Sequence, residues 1–209
     1  MARQIRYFFS LHSPWTYLGN SYFHEIAHRH GCVIDYRPLP LRSLFDETGG
    51  LPLPRRHPVR QRYRLMDLQR WRERRGLKLV LQPRFFPFDP TLADRMTIAL
   101  LLEGRDPSAF IGDVMAGVWA REEDMREPAS LAAAAQRAGF SGRALLEQAQ
   151  DPRVLARYEA TLAEAIEAGV FGAPSYVLDG EVFWGQDRLE LLDSALASGR
   201  AAFGADGAV

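Results

Sequence analysis

The chain has 209 residues, 47% of them hydrophobic, which is enough for one large globular domain or two small ones with a sizeable core. Lys and Arg (26) balance Asp and Glu (26), so the net charge gives no field that would attract nucleic acid or an anionic membrane. No run approaches the roughly 18 apolar residues of a membrane span, and no apolar signal core precedes the first strand pattern. We therefore expect a cytoplasmic protein that binds neither nucleic acid nor a membrane.

The cysteine and histidine content argues against a metal site. Cys32 is the only cysteine, which excludes an intrachain disulfide and a multi-cysteine metal site. Because it stands at the head of a predicted central strand, a buried structural thiol is the favoured interpretation. The five histidines show no metal-ligand spacing, so we expect no bound metal.

The beginning of the chain predicts a strand, a helix and a second strand. Residues 5–10 are rich in Ile, Tyr and Phe, as a strand would be. Ser13 followed by Pro14 has the form of an N-cap and a first helical position, and the helix should end at Gly31. Residues 32–39 form the second strand. A strand–helix–strand unit is expected to pair its two strands in parallel.

The middle of the chain predicts a block of helices. Residues 41–57 contain closely spaced Pro and Gly, and we expect a loop there. The predicted helices lie near 58–75, 90–103, 107–120, 128–138, 141–149 and 152–168, with one short extended piece near 78–81. Three of these helices begin at an Asp-Pro pair, in which the Asp is the expected N-cap.

The end of the chain returns to strands. Residues 175–178 and 181–184 predict a hairpin joined at Asp179-Gly180. Asp187 and Glu190 have the spacing of a capping box that would open a final helix, and the Ala- and Gly-rich tail from Ala201 is expected to fray.

This order of elements predicts an α/β fold. A strand–helix–strand start and a hairpin–helix end enclose the helical block, which is typical of a thioredoxin-like domain interrupted by a helical insertion domain. We place the thioredoxin-like domain at residues 1–45 plus 166–209 and the insertion at residues 46–165.

Two segments look like the parts of a thioredoxin-type active site from which the cysteines are missing. Ser13-Pro14-Trp15-Thr16 has Ser and Thr at the positions of Cys-Pro-x-Cys, where the helix N-terminus lowers the pKa of a thiol. In Gly172-Ala173-Pro174-Ser175 we expect a cis Pro174 that exposes the backbone of Ala173 to a peptide-like ligand. A helix end without its own sulfur is suited to holding another molecule's thiolate, such as that of glutathione. Ser13 as a simple N-cap is the alternative.

The chain also contains a basic segment. Residues 55–75 carry nine arginines against two acidic residues, and most of these arginines are expected on a solvated helix face. Arg60 lies near the start of the helix that should fold back over the active site, where it could bind a carboxylate. Along the same helix, Tyr63 and Trp71 favour packing over substrate contact.

His12 and His57 are candidate bases. Neither has a paired acidic residue in the sequence that would fix such a role. His12 adjoins Ser13, but neighbouring residues at a strand end tend to point apart, so a Ser–His dyad is not the favoured interpretation.

Three segments carry a family resemblance. They are Ser13-Pro14-Trp15-Thr16-Tyr17-Leu18, Tyr63-x-x-x-Asp67-x-x-Arg70-Trp71, and Gly169-Val170-Phe171-Gly172-Ala173-Pro174-Ser175 with Phe183-Trp184-Gly185-Gln186-Asp187-Arg188-Leu189. Together they resemble the 2-hydroxychromene-2-carboxylate isomerases, which belong with the kappa-class glutathione transferases and the DsbA-like proteins. The resemblance covers about residues 5–197, and its last motif is the most specific.

The resemblance implies a glutathione-dependent isomerase of a small aromatic carboxylate, in which the glutathione thiolate adds to a conjugated double bond and later leaves. Ser13 would be the catalytic residue that hydrogen-bonds the sulfur, Ala173 would pair with the tripeptide backbone, Asp187 would hold the γ-glutamyl amine and Arg60 would meet a carboxylate. The implied glutathione-binding set is Ser13, Pro52, Arg60, Ala173, Pro174, Gln186, Asp187 and Arg188. A homodimer is the expected form of association.

The chain departs from the family pattern at several positions. Ser10 stands where the family usually has Asp, the loop at 48–52 lacks the usual Asn, Arg60 replaces Lys, and Asp89 stands where Asn is common. Two alternatives to the isomerase stay open: a kappa-like glutathione transferase that consumes glutathione, and a non-catalytic thioredoxin-fold module that binds a peptide or small anion.

Overall fold

The computed structural model describes residues 2–204, and the strands in this range form one four-stranded sheet in the order β2-β1-β3-β4. The strands are β1 (Gln4–Phe9), β2 (Val33–Pro38), β3 (Ser175–Leu178) and β4 (Glu181–Trp184). β1 pairs in parallel with β2 and antiparallel with β3, and β3 pairs antiparallel with β4. The parallel pair at the start and the hairpin at the end confirm the predicted thioredoxin-like sheet.

The helices surround this sheet. They are α1 (Pro14–Arg29), α2 (Leu41–Thr48), α3 (Pro58–Arg75), α4 (Thr91–Leu102), α5 (Ser108–Ala116), α6 (Pro128–Arg137), α7 (Gly142–Gln148), α8 (Pro152–Glu167) and α9 (Leu189–Ser198). Those predicted between residues 58 and 168 are confirmed, with α5 continued by a π-helical turn at Gly117–Arg121. None of the helices among residues 2–204 is long and apolar enough to cross a membrane. The tail expected to fray falls largely on residues 205–209, outside the described range.

The loop expected at residues 41–57 is wrong for its first half. Residues 41–48 form α2, which buries Leu41 and Leu44 and ends at Gly49, where φ is +76°. The prolines and glycines that indicate a loop are all concentrated after α2, so their composition hid the apolar helical spacing before them.

The position of β2 differs from the expectation. β2 is an edge strand and β1 is central, because β3 pairs with β1 rather than with β2. Cys32 therefore precedes an edge strand and is half-buried, so the interpretation of a buried thiol is wrong. The partial burial still raises the pKa of the Cys32 thiol.

The capping box expected at Asp187 does not form. A short 3-10 turn, Gln186–Arg188, precedes α9 and delays its start to Leu189, so Arg188 is the N-cap residue and makes no side-chain capping bond. The Asp187 carboxylate instead accepts a hydrogen bond from the Arg188 guanidinium.

The sheet and the inserted helices share a core. On one face of β1, Tyr7 stacks on Tyr176 with ring centroids 5.2 Å apart and lies 4.6 Å from Phe23. The same cluster of buried side chains includes Leu100 of α4 and Trp119 of the π-helical turn. We propose that residues 1–45 plus 166–209 and residues 46–165 are two parts defined by their order along the chain. Both parts contribute side chains to one core.

A close contact fixes α1 against the segment that follows β4. A Cβ atom added at Gly19 would lie 2.7 Å from the Gln186 Cβ and 3.1 Å from the Tyr176 hydroxyl. Since real Cβ atoms do not approach other atoms so closely, only glycine allows α1 to sit at this depth.

We expect Gly19→Ala to destabilise the fold relative to Gly112→Ala. Both glycines lie within helices, so both substitutions gain about 1 kcal/mol of helix propensity, but an added Cβ at Gly112 meets no atom within 4 Å. The difference in unfolding free energy between the two variants, measured with urea, therefore reports the clash alone, about 1–3 kcal/mol. Equal stabilities would contradict the close packing of α1.

Candidate functional site

The start of α1 and the segment before β3 meet at one edge of the sheet, the one formed by the C-terminal end of β1 and the N-terminal end of β3. Phe8, near the end of β1, pairs with Ser175, the first residue of β3. The Ala173–Pro174 peptide bond just before Ser175 is cis, which confirms the sequence prediction. The two parts of the active site that the sequence indicates are therefore adjacent in the fold.

Ser13 is the N-cap of α1. Its Oγ accepts a hydrogen bond from the Thr16 amide at 3.3 Å, and its own amide donates to the Ser10 carbonyl at 3.0 Å. Both residues are buried, Ser13 with 4% of the residue exposed and Thr16 with none. Because the capping bond uses only acceptor capacity, the Ser13 hydroxyl proton is free to be donated to a ligand. The helix N-terminus beside it favours an anion.

Ala173 presents its backbone at this edge. Within residues 2–204, neither its amide nor its carbonyl takes part in a hydrogen bond. Its neighbours are engaged, since the Gly172 carbonyl accepts from the Ser175 hydroxyl at 2.8 Å and the Pro174 carbonyl accepts from the Gly185 amide at 2.8 Å. The free backbone groups of Ala173 can therefore pair with an extended peptide-like ligand, as an added strand would.

Gln186 lies inside the protein rather than at the ligand surface. It is 1% exposed, and its carbonyl and Oε1 both accept hydrogen bonds from Arg75 at 3.3 Å. The Arg75 guanidinium lies 4.1 Å from the Tyr22 ring centroid and pairs with Glu190 at 3.3 Å. This arrangement joins α1, α3 and the start of α9, and it leaves the neighbouring Asp187 exposed.

The structure does not bring every predicted site residue into contact with Ser13. Pro52 is half-buried in the turn before α3, and Arg60 is exposed on the first turns of that helix. Within residues 2–204, no hydrogen bond or ion pair joins Pro52 or Arg60 to Ser13. Arg188 is exposed and pairs with the neighbouring Asp187.

The packing expected of α3 is confirmed at one aromatic residue and wrong at the other. Trp71 packs against the core, with the Arg75 guanidinium 5.1 Å from its ring centroid. Tyr63 is 54% exposed, and the guanidinium carbon of Arg70 lies 5.7 Å from its ring centroid.

His12 has a partner that the sequence analysis missed. Its Nδ1 forms a 3.0 Å hydrogen bond with the Ser10 Oγ, two residues earlier. Its ring centroid lies 6.2 Å from that of Phe86 and 6.3 Å from that of Phe88. The partner of His12 is therefore a neutral hydroxyl group and not an acidic residue, and for this reason a search for paired acidic residues does not reveal it.

Arg64 is the second functional candidate that the sequence analysis missed. Its guanidinium carbon lies 6.0 Å from the centroid of the Phe86 ring, so α3 brings Arg64 to the aromatic residues beside His12. Burial, with a smaller contribution from the charge of Arg56, lowers the pKa of Arg64 to about 10. Arg56, Arg60 and Arg64 form a cluster of arginines at intervals of four residues. This spacing is the sequence signal that indicates the cluster.

The arginines of this cluster have no acidic partner. Among residues 2–204, no carboxylate lies within ion-pair distance of Arg56, Arg60 or Arg64. These unpaired guanidinium groups and the N-terminus of α1 are local positive charges, although the whole chain is neutral. Within the described residues, no group of three or more His, Cys, Asp or Glu side chains could hold a metal ion. The site is therefore suited to an anionic organic ligand.

The comparisons with known proteins agree with this geometry. The family model described as a DSBA-like thioredoxin domain matches residues 4–197. The 2-hydroxychromene-2-carboxylate isomerase of Sphingobium xenophagum is 31% identical, with 94% of this chain and 99% of the relative covered. Human glutathione S-transferase kappa 1 is 28% identical, with 92% and 90% covered.

The solved structures give the same result. A structure of 2-hydroxychromene-2-carboxylate isomerase superimposes with a TM-score of 0.77 at 28% identity, covering 93% of this chain and 95% of that one. The cytosolic disulfide reductase DsbM of Pseudomonas aeruginosa with GSH has a TM-score of 0.65 at 13% identity, covering 93% and 96%, and shows the fold alone.

We expect His12 to make stability fall in mild acid. Burial lowers the pKa of His12 from 6.5 to about 4, with Asp89 opposing this shift and Arg64 adding to it. The unfolded imidazole takes up a proton near pH 6.5 and the folded one only near pH 4. Its contribution to stability is therefore complete above pH 6.5 and is lost as the pH falls toward 4.

The measurement is the urea unfolding free energy of the wild type and of His12→Leu between pH 7 and pH 4. As the pH falls from 7 to 4, we expect the unfolding free energy of the wild type to decrease relative to that of His12→Leu. The decrease should be about 1 kcal/mol or more, since one pKa unit corresponds to about 1.4 kcal/mol. His28→Leu, at an exposed position near the end of α1, is the control and should show no such trend. A constant difference between His12→Leu and the wild type would contradict the assigned pKa direction.

Proposed function

Because the chain belongs to the DSBA-like thioredoxin-domain family and, within it, to the group of the 2-hydroxychromene-2-carboxylate isomerases, we propose that it is a glutathione-dependent isomerase of a small aromatic carboxylate. The observation that carries this proposal is the N-terminus of α1. There the Ser13 hydroxyl, whose proton is not used by the capping bond, lies at the positive end of the helix, at the same sheet edge as the free backbone of Ala173.

The residues at this edge fit glutathione. In the proposal, the backbone of Ala173, beside the cis Pro174, pairs with the tripeptide, and the Ser13 hydroxyl donates a hydrogen bond to its sulfur. The free amide and carbonyl of Ala173 support this pairing, since a tripeptide backbone offers the complementary groups. The Ser13 hydroxyl proton, which the capping bond does not use, supports the second contact.

Charged residues around the edge would hold the ends of the tripeptide. We assign the γ-glutamyl amine to Asp187 and carboxylates to Arg60 and Arg188, all of which are exposed. Pro52 would contribute shape. Gln186 supports the site indirectly, because its hydrogen bonds to Arg75 fix the backbone that carries Asp187.

Bound glutathione would supply a thiolate nucleophile for a conjugated double bond. The chain's own contribution is electrostatic: the Ser13 hydroxyl and the N-terminus of α1 stabilise negative charge on the sulfur. In the proposal, Arg56, Arg60 and Arg64 stabilise the negative charge that develops on a conjugated keto-acid substrate. Neither role requires a cysteine of the protein.

Two other assignments belong to the same proposal. We propose a cytoplasmic site of action, since glutathione keeps thiols reduced in that compartment. We also propose a homodimer as the state of association.

A kappa-like glutathione transferase is the second candidate. The kappa-class relatives from human and rat, at 28% and 24% identity, are the observation that favours it. The two activities differ in the fate of glutathione. With substoichiometric glutathione, an isomerase should convert all of the 2-hydroxychromene-2-carboxylate. A transferase should stop once it has converted one equivalent of substrate per glutathione, because the glutathione is then used up.

We expect Ser13→Ala to lower turnover of 2-hydroxychromene-2-carboxylate about a hundredfold, the usual cost of losing one donor to a reacting anion. Ser141→Ala is the matched control, because Ser141 is the N-cap of α7 and accepts from the Ala144 amide at 3.4 Å. Both substitutions should cost about 1 kcal/mol of stability as lost caps, but only Ser13→Ala should affect turnover.

Glutathione binding is measured alongside by calorimetry. A turnover equal to the wild type in Ser13→Ala would show that Ser13 acts only as a cap and would favour the non-catalytic binding module. No binding at millimolar glutathione would contradict both the isomerase and the transferase.

A further inference from the structure

His12 offers an unused polar atom next to Ser13. Its Nδ1 is held by Ser10, whereas its Nε2 has no hydrogen-bond partner among the described residues. The ring is half-buried against Phe86 and Phe88, which belong to the segment between α3 and α4. His12 therefore presents one polar ring nitrogen, oriented by Ser10, beside the rings of Phe86 and Phe88, which together form an aromatic wall.

Arg64 brings a positive charge to the same wall. Its guanidinium carbon is 6.0 Å and the His12 ring is 6.2 Å from the centroid of Phe86, and the charge of Arg64 acts on His12. Asp89 is the acidic residue that acts on His12, but it is exposed and accepts hydrogen bonds from the amide and hydroxyl of Thr91. No carboxylate within residues 2–204 forms an ion pair with Arg64.

A half-buried guanidinium without an acidic partner has lost part of its hydration and gains most from an anionic ligand. Arg56 reinforces this, since its charge also disfavours the protonated form of Arg64. The structure thus contains a positive group, a fixed neutral hydrogen-bonding group and a flat aromatic surface around Phe86. This combination is complementary to a planar ring that carries a carboxylate.

We infer that Arg64 and His12 form the subsite that binds the carboxylate of the substrate, with Phe86 beside the substrate ring. The inference deepens the proposed function and rests on it for the reaction, but its residues lie outside the glutathione set. Arg64 supplies the charge, through a fork of donors that matches a carboxylate. His12 supplies a neutral hydrogen bond from its free ring nitrogen, oriented by Ser10.

In this subsite, Arg64 and His12 would determine the specificity of the protein for a substrate that carries a carboxylate. A neutral analogue of the substrate would leave the Arg64 charge unpaired, so the protein should discriminate against it. Discrimination between a carboxylate and its amide is therefore the property to measure, because a purely structural role of either residue would not produce it.

The experiment uses trans-cinnamate as the planar aromatic carboxylate and trans-cinnamamide as its neutral counterpart. Calorimetry measures the binding of each to the full chain, with and without glutathione. We expect the wild type to bind cinnamate at least about tenfold more tightly than cinnamamide, as one charge-assisted contact provides. Arg64→Gln should abolish this preference, Arg64→Lys should retain part of it, and His12→Leu should reduce it severalfold.

Arg62→Gln is the matched control. Arg62 lies two residues earlier on α3, is exposed, and makes no ion pair among residues 2–204, so its removal should leave the preference unchanged. A full preference in Arg64→Gln, or an equal loss in Arg62→Gln, would overturn the assignment. Equal binding of the two probes by the wild type would overturn it without any variant, even if Arg64→Gln fails to fold.

The same titrations separate this inference from the proposed function. If glutathione binds but cinnamate is not preferred, the subsite is wrong and the glutathione site stands. If the preference is present and depends on Arg64 but glutathione does not bind, the subsite stands and the glutathione-dependent reaction is wrong. We expect glutathione binding to be unchanged in Arg64→Gln and His12→Leu.

Discussion

The contact between Gly19 and Gln186 fixes α1 against the end of the hairpin, and the arrangement of the site depends on it. Because α1 packs at this depth, its N-cap residue, Ser13, is held at the sheet edge where β3 begins. Arg75 binds Gln186 from α3, so the same point also anchors the helix that carries the arginines. One buried contact therefore relates the helix N-terminus, the cis-proline segment and the insertion to each other.

The chemistry of the site follows from charge rather than from sulfur. A thioredoxin-type helix start keeps its preference for an anion when its cysteines are replaced, since the preference comes from the backbone dipole and the free amides. The chain is neutral overall, but Arg56, Arg60 and Arg64 have no acidic partner within the described residues, and they lie on and before the helix that folds over this start. Local imbalance, which the total composition conceals, is what makes the site suitable for a thiolate and a carboxylate.

Local signals account for what the sequence could predict. The cap at Ser13 and the hairpin at Asp179-Gly180 each depend on neighbouring residues, whereas the cis Pro174 was expected from the thioredoxin-type pattern of the two segments. The structure confirms all three. The position of β2 was wrong because it depends on a strand far along the chain that pairs with β1 instead. The assembly of His12 with Phe86 and Arg64 is likewise a contact between distant segments, which no single-segment pattern reveals.

The central claim is that the N-terminus of α1 stabilises a thiolate that the protein does not itself carry. The most direct test is a pH titration of glutathione bound to the saturated wild-type protein, followed by the ultraviolet absorbance of the thiolate. A pKa of the bound thiol clearly below that of a free thiol, about 8.5, is the predicted result. A bound thiol that titrates at or above the free value would contradict the account.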